Sequence, residues 1–545
     1  MLKTILIGGQ AGQGVNKTSS LIGQVFSNLG YHVFIYRDYP SLIRGGHNFN
    51  IITFSDEPVY SHRKSLDAII ALDDLTIKQH APALKTGGFV LGSEKRESHP
   101  RLISIDMDSV ASSSAIGGEN NVLVGALMKL WGAPLSVGHQ AAEEEFPGVE
   151  TVKEAFDEGY QMVALREKLP ILKKGKETYF FSGNEGVSQG AIAAGLDTYF
   201  AYPMTPATGV LHSLAAQQKK YGYLVSQLEN EIAVVNAALG SSFAGAKTMV
   251  GTSGGGFALM SEALSLAGMS EIPLVVYLAQ RNAPASGVPT YTAQGDLKFA
   301  VNVGHGEFPR IVVAPGDPEE AFHRTIEAFY LSQKYHLLSI IISDKHLAES
   351  YFSFDRIRAP RVQMEEDILE DPSSDYQSYR FTENGVSPRI FPGEGPVVRA
   401  NSYEHDEYGY MIEEAEGTKK MNDKRWAKLP FLQKEINRLE PVKIYGSGKN
   451  LIVGWGSTKG AILDSLKDLP GYRFMQISYI SPFPIQSVTQ ELQKAKKVVL
   501  VENNVTGLLG QIIREQTGFE IKDKVLKYDA RPFTPEDIIQ KIKIL

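Results

Sequence analysis

The chain contains 545 residues, enough for three or four domains, and its hydrophobic share of 43% is ordinary for a globular protein. The net charge of −7 at pH 7 gives no electrostatic basis for binding nucleic acid, and no apolar run reaches the roughly 18 residues of a membrane span, so we expect a cytoplasmic protein. The absence of cysteine excludes disulfides, a cysteine nucleophile and a cysteine-ligated zinc or iron–sulfur site on this chain.

Residues 1–175 are predicted to form the first α/β domain. An apolar run at residues 4–7 indicates a strand, and the glycine-rich stretch 8–14 leads into a predicted helix. Such a loop can hold an anion at the helix N-terminus, or it can be a tight turn with close backbone packing. Gly12 and Gly14 are the candidate phosphate contacts. Arg44, in an Arg-Gly-Gly-His segment, could bind a phosphate or a structural carboxylate.

A lysine-rich stretch at residues 173–176 indicates a solvated linker, and residues 176–353 are the second predicted domain. Its alternation of apolar runs and helical patterns predicts a parallel sheet. Within it, residues 274–278 are expected to form a buried strand and residues 231–244 a buried helix. Polar motifs follow the strands and begin the helices, which is where open α/β sheets bind ligands.

The rest of the chain divides into an irregular part and a regular one. Residues 354–443 are rich in proline, glycine and charge and lack strong periodicity, so we interpret them as a connector. Residues 444–545 contain apolar runs at 451–454 and 497–501, which indicate parallel strands of a last α/β domain. The predicted fold class is therefore α/β, with several doubly wound parallel-sheet domains.

Three side chains of the second domain have chemistry suited to a site. Glu231 stands at a predicted helix start, where the helix dipole favours an acidic group whether or not it has a function. Arg281 could clamp a carboxylate with its planar fork, or form a structural salt bridge. Thr205, between two prolines, could offer its hydroxyl to a ligand, or cap a turn or helix.

The chain resembles the 2-oxoacid:ferredoxin oxidoreductases over nearly its whole length. The resemblance rests on the Tyr-Pro-Met-Thr-Pro motif at 202–206, the glutamate at 231 and the loop at 280–290, in that order. These motifs are similar to the family's alpha subunit, although Ala283, Ala285 and Ser286 depart from its loop pattern. The first glycine loop and the 44–47 segment are similar to the gamma subunit, which some members fuse to alpha. The resemblance implies a gamma-like domain followed by a thiamine-enzyme pyrimidine-type domain and a C-terminal transketolase-C-like domain.

The resemblance also implies roles for particular residues. These enzymes use thiamine diphosphate, which serves as the electron sink when a 2-oxoacid loses carbon dioxide, and they pass the acyl group to coenzyme A. Glu231 matches the glutamate expected to hydrogen-bond the aminopyrimidine, and Tyr202 and Pro203 are further cofactor-binding candidates. Arg281 and Thr205 are expected to hold the substrate carboxylate. The same family implies that Gly12, Gly14 and Arg44 help to bind coenzyme A.

Part of such an enzyme is missing from this sequence. Thiamine enzymes bind the diphosphate and Mg²⁺ through a Gly-Asp-Gly segment, and the stretches at 295–297 and 316–318 lack its second glycine. We therefore predict no metal site on this chain. The resemblance implies a beta subunit that carries the diphosphate side, Mg²⁺ and an iron–sulfur cluster, ferredoxin as the acceptor, and a dimer of alpha–beta heterodimers.

The interpretation is a fused gamma–alpha subunit with 2-oxoglutarate as the favoured substrate. Two alternatives come from other classes of protein. One is a self-contained nucleotide-dependent oxidoreductase that uses the N-terminal glycine loop, although that loop does not fit the dinucleotide pattern G-x-G-x-x-G. The other is a non-catalytic assembly subunit that has kept the fold. An assembly protein would not need Glu231, Thr205 and Arg281 together.

Overall fold

The structure is a computed structural model that describes residues 1–40, 46–110, 118–172, 179–354, 357–364, 368–369, 372–393 and 395–545. The predicted linker at 173–176 and the candidate Arg44 lie outside the described residues. The chain forms two compact units. Their limits are 1–182, 349–357 and 534–540 for the first unit, and 183–348, 358–533 and 541–545 for the second.

The described residues form strands and helices that we number in chain order. The strands are β1 (Leu2–Gln10), β2 (His32–Asp38), β3 (His47–Ser55), β4 (Leu66–Ala71), β5 (Leu84–Ser93), β6 (Leu102–Ile105), β7 (Tyr179–Ser182), β8 (Thr198–Ala201), β9 (Leu224–Gln227), β10 (Thr248–Thr252), β11 (Leu274–Gln280), β12 (Arg310–Val313), β13 (Leu338–Asp344), β14 (Tyr351–Phe354), β15 (Val442–Tyr445), β16 (Asn450–Gly454), β17 (Tyr472–Ile477), β18 (Tyr479–Ser481), β19 (Val498–Glu502) and β20 (Asp523–Leu526). The helices are α1 (Val15–Asn28), α2 (Asp74–His80), α3 (Gly118–Leu130), α4 (Leu135–Glu145), α5 (Glu150–Gln161), α6 (Gly183–Ala193), α7 (Thr208–Tyr221), α8 (Glu231–Phe243), α9 (Gly254–Met269), α10 (Leu297–Asn302), α11 (Pro318–Tyr335), α12 (Lys345–Glu349), α13 (Ala415–Arg438), α14 (Thr458–Ser465), α15 (Ile485–Lys494), α16 (Leu508–Thr517) and α17 (Pro535–Ile544).

The first unit is built on an eight-stranded sheet in the order β6-β5-β4-β1-β3-β2-β14-β7. Strands β6, β5, β4 and β1 are parallel, whereas the pairs from β1 to β7 are antiparallel, so half of this sheet departs from a doubly wound parallel pattern. The predicted strand at 4–7 lies in β1, and α1 buries an apolar face that includes Leu21, Ile22 and Val25 against the sheet. That face follows helical spacing, which places its side chains on one side of α1.

The second unit contains a seven-stranded sheet and a five-stranded sheet. The first has the order β18-β12-β13-β11-β10-β8-β9 and is parallel except for β18, and the second has the order β15-β17-β16-β19-β20 and is parallel except for β15. Every residue of β11 is buried, as expected for a central parallel strand covered on both faces. The predictions of a strand at 274–278 and a helix at 231–244 are confirmed, and so is the α/β fold class.

Two elements fall where the sequence did not indicate them. Helix α13 spans 24 residues inside the predicted irregular connector, with Pro430 in its interior and a mostly polar surface that obscures its periodicity. Strand β14 joins the sheet of the first unit, although it stands at the end of the second predicted domain. The division at residues 175, 353 and 443 itself stays a prediction. Within the described ranges, no helix is both long and apolar enough to cross a membrane.

Candidate active site

The site is assembled at the carboxyl edge of the seven-stranded sheet. Register pairs Ala201 with Gly251, Thr252 with Leu278, and Gln280 with Asp344, so strands β8, β10, β11 and β13 end at the same edge. Each of the recognised motifs lies close after one of these strands or the neighbouring β9. Motifs that are up to about 80 residues apart in sequence are therefore neighbours here, because parallel strands present their carboxyl ends together.

The segment after β8 carries Tyr202, Pro203 and Thr205. Tyr202 and Pro203 are exposed, whereas Thr205 is half-buried. Asn184 on α6 anchors this segment by a hydrogen bond: its Nδ2 donates to the Pro206 carbonyl at 3.0 Å. The Tyr277 hydroxyl in turn donates to Asn184 Oδ1 at 2.8 Å. This buried chain of hydrogen bonds positions the motif, and sequence inspection did not identify Asn184.

Arg281 lies directly against the Thr205 segment. Its Nη1 donates to the Thr205 carbonyl oxygen at 3.1 Å, so the structure brings together two of the predicted substrate residues. Burial lowers the pKa of the Arg281 guanidinium from its ordinary value, but a guanidinium remains charged near neutrality. Among the described residues it makes no ion pair with a carboxylate. The remaining N–H groups of its fork suit an anionic ligand.

Glu231 is the first residue of α8 and is only 3% exposed. The preceding Asn230 caps the helix, with Oδ1 accepting from Ala233 N at 2.9 Å, so the cap does not need the glutamate. Glu231 Oε1 is buried and has no hydrogen-bond partner in the part of the chain that the structure describes. Leaving a buried carboxylate oxygen unpaired is costly, so this atom suits a ligand that donates a hydrogen bond.

A glycine at position 256 is required by this arrangement. A Cβ there would lie 2.6 Å from Glu231 Oε1 and 2.2 Å from Thr252 Oγ1. Glu231 therefore packs against the first turn of α9. A glutamate that projects a bare oxygen at the carboxyl edge fits the aminopyrimidine side of thiamine diphosphate, because that ring offers a hydrogen-bonding nitrogen.

Two polar residues at the first turn of α9 were not identified as site residues by sequence inspection. Ser253 is fully buried, and its hydroxyl has no partner among the described residues. Asp296 lies on the other side of the same turn, since a Cβ at position 254 would be 2.5 Å from its Oδ2. Its backbone N–H donates to Gln280 Oε1 at 2.8 Å, and burial raises the pKa of its carboxyl to about 6. Asp296 is about 40 residues from Gly254 in sequence, so no local pattern indicates this contact.

Replacing Asp296 with Asn should stabilise the protein at pH 7–8. The folded-state pKa of about 6 is higher than the ordinary 3.8, so the stability contributed by the protonated acid is complete below pH 3.8 and is lost as pH rises through 6. At about 1.4 kcal/mol per pKa unit, the gain from Asp296→Asn should reach about 2–3 kcal/mol at pH 8 and vanish near pH 4. Urea unfolding between pH 4 and 8 measures this, with the exposed Glu262→Gln on α9 as control. An equal effect of both variants at pH 8 would contradict it.

The backbone conformation of the glycine loop in the first unit explains why glycines occupy it. Gly12 and Gly14 have φ values of 94° and 78°, which side chains rarely adopt. Asn120 Nδ2 donates to the Gln13 carbonyl at 2.7 Å and to Thr18 Oγ1 at 2.8 Å, which holds the loop against α1. No described side chain caps the first turn of α1. The tight turn is thus present, and the predicted phosphate contact of Gly12 and Gly14 remains compatible with it.

Within the described residues no group of three or more His, Cys, Asp or Glu side chains could hold a metal ion. The unpaired oxygen of Glu231 fits the pyrimidine side of thiamine diphosphate, and the sequence contains no Gly-Asp-Gly segment for the diphosphate and its metal.

Comparisons with known proteins give related oxidoreductases for both parts of the chain. Residues 189–424 match the family described as pyruvate flavodoxin/ferredoxin oxidoreductase, thiamine diphosphate-binding, and residues 4–162 match pyruvate ferredoxin/flavodoxin oxidoreductase. A 2-oxoacid:ferredoxin oxidoreductase subunit alpha of Saccharolobus solfataricus is 31% identical, with 99% of this chain and 97% of the relative covered. The 2-oxoglutarate synthase subunit KorA of Methanothermobacter thermautotrophicus is 27% identical, covering 67% of this chain and 98% of the relative.

A solved structure is similar over the whole length. It is the 2-oxoglutarate:ferredoxin oxidoreductase from Magnetococcus marinus with 2-oxoglutarate, coenzyme A and succinyl-CoA bound. It is 28% identical, with a TM-score of 0.90, and the match covers 100% of this chain and 99% of that one.

Proposed function

Because the chain belongs to the alpha subunits of the 2-oxoacid:ferredoxin oxidoreductases, we propose that it forms the pyrimidine-side half of a thiamine diphosphate site that decarboxylates 2-oxoglutarate. Family membership confirms the predicted resemblance and the prediction that the chain is a subunit of an oxidoreductase of EC 1.2.7 type. The comparisons support neither of the two alternatives, a nucleotide-dependent oxidoreductase or an assembly protein. The reaction consumes coenzyme A and yields acyl-CoA, carbon dioxide and reduced ferredoxin. The observation that carries the proposal is the buried, unpaired Oε1 of Glu231 beside Gly256.

Each residue of the site has a defined task in this proposal. Bound thiamine diphosphate supplies the carbanion and the electron sink for decarboxylation. Glu231 Oε1 would hydrogen-bond the aminopyrimidine ring and exchange a proton with it, and because this side chain is only 3% exposed, water would be kept from that hydrogen bond. Tyr202 and Pro203 lie exposed at the same edge and line the cofactor's side of the site. Asp296, with its pKa of about 6, can exchange a proton near neutrality beside the same helical turn.

Substrate binding is assigned to Arg281 and Thr205. The Thr205 carbonyl accepts one N–H of Arg281 and thereby fixes the orientation of the guanidinium. The free edge of the fork then binds the 2-oxoacid carboxylate, and the Thr205 hydroxyl donates a further hydrogen bond.

Arg281→Lys should weaken binding of the 2-oxoacid while leaving thiamine diphosphate affinity nearly unchanged. Lysine keeps the charge but loses the fork and the bond to the Thr205 carbonyl. We expect KM to rise by a factor that corresponds to about 1.5–3 kcal/mol, and Thr205→Val to act in the same direction more mildly. Steady-state kinetics of the complex reconstituted with its beta subunit measure this, with the exposed Arg514→Lys as control. An unchanged KM in Arg281→Lys would remove the arginine from substrate binding.

The choice of 2-oxoglutarate rests on relatives. The 2-oxoglutarate synthase subunits and the solved enzyme with bound 2-oxoglutarate support it. Residues Ala283, Ala285 and Ser286 lie beside Arg281 and form the departure from the family loop. Assaying a panel of 2-oxoacids with coenzyme A and a redox dye tests the assignment, and strong preference for pyruvate would overturn it.

A beta subunit is required because this chain has no cysteine to hold a cluster. We assign to it the iron–sulfur cluster, Mg²⁺ and the diphosphate side of the site, with ferredoxin as acceptor and a dimer of alpha–beta heterodimers as the assembly. Exposed positions on α8 and α9 support a partner at these helices: Ile232 and Leu259 are 52% and 53% exposed, and a Cβ at Gly240 or Gly255 would meet nothing within 4 Å. A surface of small and apolar residues is suited to close packing against a partner.

The isolated chain should be colourless and inactive. Visible iron–sulfur absorbance and dye reduction should appear only after the beta subunit is added, because the cluster has no ligands here. Absorption spectra of the purified chain before and after reconstitution measure this, and a coloured single chain would contradict the assignment.

The first unit is assigned to coenzyme A. The loop at Gly12 and Gly14, together with Arg44 outside the described residues, would contact its phosphates. Titrating coenzyme A into the wild-type complex and into a Gly12→Asp variant, which adds a negative charge to the loop, tests this role. A cytoplasmic location stays a prediction from the sequence.

A further inference from the structure

One segment, residues 291–296, connects the loop that begins at Arg281 to the five-stranded sheet. Gln294 lies in this segment and is fully buried. Its Nε2 donates to the Trp455 carbonyl at 3.0 Å, and its Oε1 accepts from Asn503 N at 2.9 Å. The backbone N–H of Gln294 donates to the Asn503 carbonyl at 2.8 Å. Three hydrogen bonds therefore fasten this residue to the carboxyl edge of the five-stranded sheet.

The partners of Gln294 on the five-stranded sheet are themselves held in place. They follow β16 and β19, two strands that are parallel neighbours. The buried carboxylate of Glu502 accepts from Trp455 Nε1 at 2.8 Å and from Asn504 Nδ2 at 3.0 Å. Asn504 Nδ2 also donates to the Gln294 carbonyl at 3.1 Å, which is a fourth bond to the same edge. The sheet thus presents a fixed set of donors and acceptors to one buried residue.

Both neighbours of Arg281 in the chain are bonded to the segment that Gln294 anchors. On one side, the Asp296 N–H donates to Gln280 Oε1 at 2.8 Å. On the other side, the Asn282 N–H donates to the Tyr291 carbonyl at 3.0 Å. The positions of residues 280 and 282 therefore depend in part on residues 296 and 291, and Gln294 holds the chain between those two.

Two further contacts place the segment between the two sheets. The Thr292 hydroxyl donates to Asp344 Oδ1 at 3.1 Å, and Asp344 ends β13 of the seven-stranded sheet. From the other sheet, the Arg531 guanidinium lies over the Tyr291 ring, 3.6 Å from its centre. The segment is thus bonded to the seven-stranded sheet through Thr292 and to the five-stranded sheet mainly through Gln294. Without the amide of Gln294, the second attachment is weakened while the first is kept.

We propose that Gln294 is a positioning residue for substrate binding, which orients Arg281 by fastening residues 291–296 to the five-stranded sheet. The inference rests on the proposed role of Arg281 and adds the part of the fold that keeps the arginine in place. Gln294 acts at a distance from the substrate, because its amide and its peptide group are already bonded to the sheet. A planar fork must align two N–H groups with one carboxylate, and a displacement of about 1 Å can cost about 100-fold.

Steady-state kinetics of Gln294→Met in the complex reconstituted with its beta subunit test the positioning role. Methionine has a similar length but makes neither of the two amide hydrogen bonds. We expect KM for 2-oxoglutarate to rise about tenfold, while kcat and hydrogen–deuterium exchange at thiamine C2 change by less than about twofold. Gln490→Met, at an exposed position on α15, is the matched control and should behave as the wild type. An unchanged KM in Gln294→Met, or a loss that falls on kcat and C2 exchange, would overturn the proposal.

Amide hydrogen exchange followed by mass spectrometry gives a second readout that does not depend on turnover. Peptides that cover residues 282–293 should exchange about tenfold faster in Gln294→Met than in the wild type, whereas those that cover residues 248–257 should exchange equally. Equal exchange of residues 282–293 in both proteins would refute the anchoring. Circular dichroism verifies that the variant folds. If it does not, Gln294→Asn replaces it, because a side chain one methylene shorter cannot reach both partners.

A double variant separates this inference from the proposed function. If Gln294 acts through Arg281, then Arg281→Lys combined with Gln294→Met should have about the same KM as Arg281→Lys alone. Increases in KM that multiply would show two independent effects and would refute the positioning role only. An unchanged KM in Arg281→Lys alone would instead refute the proposed substrate role of the arginine, and this inference with it.

Discussion

Glu231→Gln should lower kcat of the reconstituted complex by about 10²–10⁴-fold, with a smaller change in substrate KM. Glutamine preserves the size of the side chain, so packing against Gly256 and Thr252 is kept. It removes the charged oxygen, Oε1 of the buried carboxylate, that has no partner among the described residues. In the proposed mechanism Glu231 exchanges a proton with the aminopyrimidine in every catalytic cycle. The substitution should therefore slow the activation of the cofactor, which lowers kcat.

Hydrogen–deuterium exchange at C2 of thiamine separates this effect from substrate handling. Exchange should slow in Glu231→Gln to about the same extent as turnover. Glu229→Gln is the matched control, because that glutamate is two residues away and exposed. Normal exchange in Glu231→Gln would remove the residue from its assigned role, and equal losses in both variants would indicate a general electrostatic effect.

Lys459→Met should cost about 3–5 kcal/mol of unfolding free energy at pH 7. Lys459 is buried and forms ion pairs with Asp317, and with Glu320 at 2.8 Å, where α14 meets the start of α11. Glu320 also accepts from Gly316 N at 2.8 Å and from Gln476 Nε2 at 2.6 Å. Methionine fills the volume of the lysine stem but leaves two buried carboxylates without their main cation.

The pH dependence of this loss follows from the direction of the pKa shift. Burial alone would raise the pKa of Glu320, but Lys459, with Lys443 and Arg324, holds it well below 4.5. In the wild type this stabilisation is present above pH 4.5 and is lost as pH falls through the lower folded-state value. In Lys459→Met the carboxyls protonate more readily, so the deficit should shrink toward pH 4.

Lys443→Met provides the control for the lysine variant. Lys443 contacts the same Glu320 oxygen at 2.9 Å, but its side chain is 27% exposed. Because its ammonium is partly solvated, this ion pair should contribute less than that of Lys459, about 1 kcal/mol, so Lys443→Met should lose much less stability than Lys459→Met. Urea unfolding at pH 4, 5.5 and 7 distinguishes the two. Equal losses in both variants would show that the burial of Lys459 does not set its contribution.

Local patterns in the sequence were sufficient for the fold class and for the main elements around the site. The apolar run that became β11 and the small-residue helix α8 could be predicted because a buried parallel strand and a buried helix need those residues. The order of motifs was enough for the family, which the comparisons confirm. The absence of cysteine also required that any cluster be on another chain. The roles of Glu231, Thr205 and Arg281 remain predictions.

Contacts between distant residues could not be found in the same way. The bond between Arg281 and the Thr205 carbonyl spans 76 residues, and the approach of Asp296 to Gly254 depends on how two loops meet at one sheet edge. The sequence did not indicate helix α13, because few of its positions are apolar. The burial of Lys424 and Lys428 could not be predicted either, because it depends on the contact with Glu271, which is distant in sequence. Propensity and periodicity act over a few residues, whereas the burial of a charge and the pairing of a carboxylate depend on which distant segments fold against each other.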